Sequence, residues 1–87
     1  MHFVYVLRCS DNALYIGETA DLDRRLEQHR GGSASAFTAS RRPVTLVYSE
    51  SHPTRAIALR RERQLKKWTR AKKEALIAGD LALLKRL

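Results

Sequence analysis

Two stretches, Phe3-Val4-Tyr5-Val6-Leu7-Arg8 and Ala13-Leu14-Tyr15-Ile16-Gly17, decide the fold. The first is aromatic and β-branched with little polar alternation, the composition of a strand covered on both faces. Ser10-Asp11-Asn12 supplies turn chemistry between the two runs, so the second pairs back on the first as a β-hairpin. The hairpin places Tyr5 and Tyr15 on neighbouring strands.

Downstream, Thr19 or Asp21 caps a helix that starts near Leu22, with Asp23 in its first turn and Gly31-Gly32 at its end. Leu22 and Leu26, four apart, mark its buried stripe, and Arg25 and His29, also four apart, flank that stripe. Residues 33–40 are small and polar, a loop or a short helix, closed by Arg41-Arg42-Pro43. Val44 to Tyr48 reads as a third strand. A long helix is expected from Pro53 or Thr54 to about Trp68 and another over 70–78, before Gly79-Asp80 restarts a short Leu-rich helical tail. The order is ββαβαα, an α/β (α+β) fold with an antiparallel sheet and helices packed on it.

Eighty-seven residues suffice for a single domain, 1–87, with one core and one site. No apolar run approaches the roughly 20 residues that span a bilayer, and the apolar start is too short for a secretory signal, so a cytoplasmic protein is expected. A lone cysteine, Cys9, forms no intramolecular disulfide and no CxxC site. His2, His29 and His52 lack metal-ligand spacing, which leaves oxygen ligands and a hard cation as the metal chemistry open to the chain. Lys and Arg number 17 against nine Asp and Glu. Residues 1–50 hold six of each sign, so the whole net charge of +8 lies in residues 51–87. That asymmetry favours an anionic partner, a nucleic-acid backbone first among them.

One acid is out of place. In the long helix Arg60, Arg61, Arg63, Lys66 and Lys67 mostly take outward positions while Ala58, Leu59 and Leu65 form the inner face. Glu62 lies four from Ala58 and three from Leu59 and Leu65, so it projects from the apolar stripe. A carboxylate there requires a partner. An arginine salt bridge and a ligand role for Mg²⁺ or Mn²⁺ both satisfy it, and spacing does not choose between them. Tyr5 and Tyr15 are equally open to core or site roles, and Trp68 reads as a core anchor before a base-stacking platform.

Phe3-Val4-Tyr5, with Tyr15-Ile16-Gly17 ten residues on, then Asp21-Leu22-Asp23-Arg24-Arg25-Leu26 and His29, resembles the GIY-YIG nuclease family. The likeness is to its small single-domain bacterial branch, related to the nuclease module of excision-repair endonucleases. Arg42-Pro43-Val44-Thr45-Leu46-Val47-Tyr48 and Ala58-Leu59-Arg60-Arg61-Glu62-Arg63-Gln64-Leu65-Lys66 extend the match over about residues 2–78. The resemblance implies a three-stranded antiparallel sheet flanked by helices and hydrolysis of DNA phosphodiesters with one divalent metal, in DNA repair or recombination. It implies Glu62 as the metal-binding glutamate and Arg25 as the phosphate-contacting arginine. Tyr5 and Tyr15 are then the motif tyrosines, His29 a site histidine and Gly17 the glycine that permits close backbone approach. Tyr5 with a lowered pKa is the first candidate for general base, with Tyr15 and His29 as alternatives. Arg41, Arg42, Arg63, Lys66, Lys67 and Arg70 are expected to grip DNA, or RNA. The first motif retains only its tyrosine, and the chain matches no appended DNA-binding domain. The competing readings are a binding module without turnover and a subunit acting through a protein partner.

Overall fold

The computed structural model describes all of residues 1–87. The hairpin forms as β1 (His2–Arg8) and β2 (Leu14–Thr19), and Asn12 takes the left-handed backbone at the turn with φ 69°. Helix α1 (Leu22–Gly31) follows, capped by Asp21, whose side chain accepts from the Arg24 amide, and closed by Gly32 at φ 83°. A one-turn helix α2 (Ala36–Ala39) precedes β3 (Thr45–His52), and three helices complete the chain: α3 (Arg55–Lys66), α4 (Arg70–Ala78) and α5 (Leu81–Arg86). The short helix expected as an alternative over 33–40 is therefore present, and the tail is helical.

The sheet is antiparallel in the order β2-β1-β3, so β1 is central. This is why Val4, Tyr5, Val6 and Leu7 are all buried despite pointing alternately to opposite faces. Val4 and Val6 join Ile16, Ala58 and Leu65 beneath α3, with Trp68, Leu76 and Ile77 packed against them. Tyr5 and Leu7 join Cys9, Leu26 and Val44 on the α1 side. Cys9 is thus the buried small hydrophobe its isolation suggests.

Two element boundaries differ from expectation. Strand β3 runs on to His52, because Ser49, Glu50, Ser51 and His52 pair with Tyr5, Val4, Phe3 and His2. Its inward polar residues are compensated by one another: Tyr48 donates to Glu50 at 2.7 Å, and His52 and Arg61 also reach the Glu50 carboxylate. Arg61 is therefore not an outward residue; it ties α3 to the β3 edge. Helix α3 ends at Lys66, and Trp68 folds back against the core with Arg61 and Lys72 over its ring at 5.2 and 4.5 Å. A bulge between Val6 and Leu7 leaves Val47 unopposed, which lets the neighbours Val47 and Tyr48 both face α3 while Leu46 faces α1.

Candidate active site

The site is assembled on the outer edge of β2. Tyr5 pairs across the hairpin with Gly17, and a Cβ on Gly17 would fall 2.5 Å from Cζ of the Tyr5 ring and onto its hydroxyl. The missing side chain is what lets that ring lie flat across the edge strand. Its hydroxyl meets Nε2 of His29 at 2.8 Å, and Nδ1 of His29 meets the Thr38 hydroxyl at 2.8 Å. A neutral imidazole satisfies both contacts with one donor and one acceptor nitrogen. Thr38 is itself held by Ser35, whose hydroxyl lies 2.8 Å away and accepts from the Thr38 amide.

Tyr5, His29 and Thr38 are all fully buried, so His29 lies inside the core rather than along its edge. Burial, reinforced by the positive charge of Arg25, lowers the His29 pKa. The Tyr5 hydroxyl is pushed up to about 12, first by burial and then by the neighbouring Tyr15, with Arg25 acting in the opposite sense. The lowered Tyr5 pKa expected of a general base is not what this environment produces. Tyr15 is the accessible member of the pair: it is partly exposed, its ring edge-on to His29 at 5.1 Å and 6.4 Å from Tyr5.

Helical geometry places Glu62 from the other side. With Ala58 and Leu65 facing the sheet, a turn of 100° per residue puts Arg61 on one flank of α3 and Arg55, Glu62 and Lys66 on the other. Arg61 reaches β3, so the Glu62 flank looks toward β2, and the Glu62 charge adds to the forces on the Tyr5 hydroxyl. The carboxylate is largely enclosed, its side chain 17% exposed, and the charged group within 4 Å is Lys66 at 3.6 Å. The salt bridge is thus to a lysine one turn on, not to an arginine, and it leaves acceptor capacity unused. No group of three His, Cys, Asp or Glu side chains gathers anywhere in the chain. A single carboxylate completed by water and phosphate oxygens is a mode suited to Mg²⁺, and Glu62 fits it.

Two concavities are lined in part by residues of the Glu62 flank of α3, Arg55 in one and Lys66 in the other. One, of about 480 Å³, is lined by Arg24, Arg25, Gln28 and Arg55 with His2, Glu18 and Asp21. Its two acids are engaged, Glu18 with His2 at 3.3 Å and Asp21 as the α1 cap. The other is smaller and lies beside Tyr15, Phe37 and Lys66. Tyr5, Tyr15, Gly17, Arg25, His29 and Glu62 are therefore brought to one edge of the sheet. Of the cations expected to grip DNA, Arg63, Lys66 and Lys67 are exposed. Arg41 binds Asp11 and the Phe37 carbonyl, Arg42 binds the Ala39 and Arg30 carbonyls, and Arg70 binds Glu74 and the Asn12 carbonyl. These three are engaged in holding loops together. Thr38 and Phe37, which sequence reasoning passes over, sit in a weakly patterned segment; the Ser35-to-Thr38 cap spacing is the one signal that could have found the first.

A family model for the GIY-YIG catalytic domain matches residues 1–75, and the chain belongs to the GIY-YIG family. UPF0213 proteins of Staphylococcus aureus are 47% identical to it over 76 residues, covering 87% of this chain and 93% of theirs. Among solved structures, a UPF0213 protein from Bacillus halodurans is 39% identical, with a TM-score of 0.59 over 88% of this chain and 82% of its own. A protein from E. faecalis is 37% identical, with a TM-score of 0.61 over 92% and 86%. The fold is thus the family's three-stranded sheet with flanking helices, and the domain is of nuclease type.

Proposed function

We propose that this protein is an endonuclease that hydrolyses DNA phosphodiester bonds with Mg²⁺ or Mn²⁺ held by Glu62. The observation that carries the reading is the convergence on one sheet edge of an enclosed carboxylate with unused acceptor capacity, an arginine and two tyrosines. When bound, a divalent cation stabilises charge on the phosphate and on the leaving oxygen. Arg25 offers a forked, charge-assisted contact to the scissile phosphate as negative charge accumulates. The attacking water gives up its proton to a tyrosine oxygen. Tyr5 is fully buried and its hydroxyl pKa is raised, first by burial, whereas Tyr15 is partly exposed. Tyr15 is thus the proton acceptor facing the reacting water, and the buried Tyr5–His29–Thr38 chain is the positioning frame beneath it. The free arginines of the larger cleft, with Arg63 and Lys67, hold flanking phosphates.

The test is a cleavage assay on plasmid, branched and single-stranded DNA with each metal, run beside a binding measurement. Cleavage by the wild type and its loss in Glu62→Ala and Arg25→Ala are expected. A wild type that binds every substrate and cuts none with either metal is instead a binding module.

A further inference from the structure

The smaller concavity beside the site, about 220 Å³, is lined by Leu14, Tyr15, Ile16, Phe37, Lys66 and Lys73. Phe37 is 39% exposed, and it does not stand singly on the surface but shares the concavity with Leu14, Tyr15 and Ile16, the contiguous apolar lining that a binding groove requires. It is not loosely held. The Arg41 guanidinium covers one face at 3.9 Å, fixed in turn by Asp11 at 3.0 Å, and Tyr15 stands 6.0 Å away at a 31° tilt. Leu14 and Ile16 of the edge strand form an apolar floor, Lys66 and Lys73 form a cationic rim, and no carboxylate lines the pocket.

An aromatic wall, an apolar floor and two cationic arms match a nucleobase with a phosphate on each side. The base gains stacking and burial, and the lysines take the backbone. A base within a duplex is stacked above and below and does not enter such a pocket unless it leaves the helix. We propose that this pocket holds an unpaired base of DNA next to the bond to be cleaved, so that the substrate must present a nucleotide out of the stack. The inference rests on the nuclease reading of the site, because Tyr15 belongs to both and Lys66 is the ion-pair partner of Glu62.

Fluorescence anisotropy in EDTA measures binding without cleavage and so separates the two readings. Three duplexes serve: one fully paired, one with a single bulged adenine, and one with an abasic residue in the bulge. The wild type is expected to bind the bulged adenine at least about ten-fold more tightly than the other two. Phe37→Ala should reduce that affinity to the abasic level. Phe37→Leu, which keeps the local packing but lacks a π-face, should do the same, with binding of the abasic and paired duplexes changed less than about two-fold. Lys73→Ala should weaken all three together and lower the slope of log affinity against log salt by about one. Equal wild-type binding of base and abasic bulges, or an equal loss on all three duplexes in Phe37→Leu, would overturn the proposal. Selective binding of the bulged adenine in EDTA, with no cleavage of the same duplex once Mg²⁺ or Mn²⁺ is supplied, would keep the pocket and remove the nuclease reading.

Discussion

Gly17 is the smallest residue of the site and the one with the least tolerance. Gly17→Ala pushes a methyl group into the Tyr5 ring, and is expected to cost about 1–3 kcal/mol by urea denaturation, as overpacking of a dense interior does, and to abolish cleavage. The two tyrosines separate by burial. Tyr5→Phe strips His29 of a partner in a fully buried place, so a stability loss of about 1–3 kcal/mol should dominate. Tyr15→Phe removes a partly exposed hydroxyl; the melting temperature should hardly move while kcat falls at least about 100-fold. The reverse pattern would assign proton transfer to Tyr5. Both tyrosines, Arg25 and Glu62 were legible as types and spacings. Which of the two tyrosine hydroxyls is open to water was not, because it depends on tertiary burial.

At the scale of elements, the hairpin is fastened to α4 by Arg8, which reaches the two Glu74 oxygens at 2.6 and 2.9 Å, with Arg70 adding a second contact. The Arg8 hydrogen bonds hold the Glu74 carboxyl down at about 2, against an ordinary 4.5. Its folded value lies below its unfolded one, so the stabilisation is complete above about pH 4.5 and disappears as pH falls through about 2. The pair is about one-third exposed, which limits its worth to about 1 kcal/mol. Glu74→Gln should lower stability by up to that amount at pH 7 and flatten the pH dependence between 4.5 and 2, followed by urea midpoints. Strand β3 shows why its end was not legible: Glu50 and His52 look like loop residues until Arg61, eleven positions after Glu50, is placed against them. Burial alone would raise the Glu50 pKa, yet hydrogen bonds from Arg61, Tyr48 and His52 outweigh it and lower it.

For the molecule as a whole, charge and acid sensitivity are the measurable consequences. Among its arginines, Arg8, Arg41, Arg61 and Arg70 are paired with acids, whereas Arg24, Arg25 and Arg55 line a common cleft whose acids are otherwise engaged. Arg24→Ala with Arg55→Ala should reduce the slope of log affinity against log salt by about two on duplex DNA, whereas Arg41→Ala should leave it unchanged. An unchanged slope in the double variant would take phosphate contacts out of this cleft. His29 sets the upper acid limb. Its folded pKa lies below the ordinary 6.5, so the unfolded chain binds a proton first, and stability should begin to fall as pH drops below about 6.5. His29→Gln should remove that limb in a pH series of thermal melts.

By itself the sequence determined the hairpin, a helix start near Leu22 and the antiparallel order of elements, and it named the candidates for the site, because each rests on local periodicity, turn chemistry or motif spacing; the choice of Asp21 over Thr19 as the cap was made by the structure. Tertiary structure alone decided that Glu62 looks toward β2 rather than β3, that His29 is core, that Arg41, Arg42 and Arg70 are engaged, and that Phe37 stands open beside Tyr15. Those outcomes depend on which face of α3 meets the sheet and on contacts between residues ten to sixty positions apart. A sequence pattern records the face on which a residue lies, but not what it meets there.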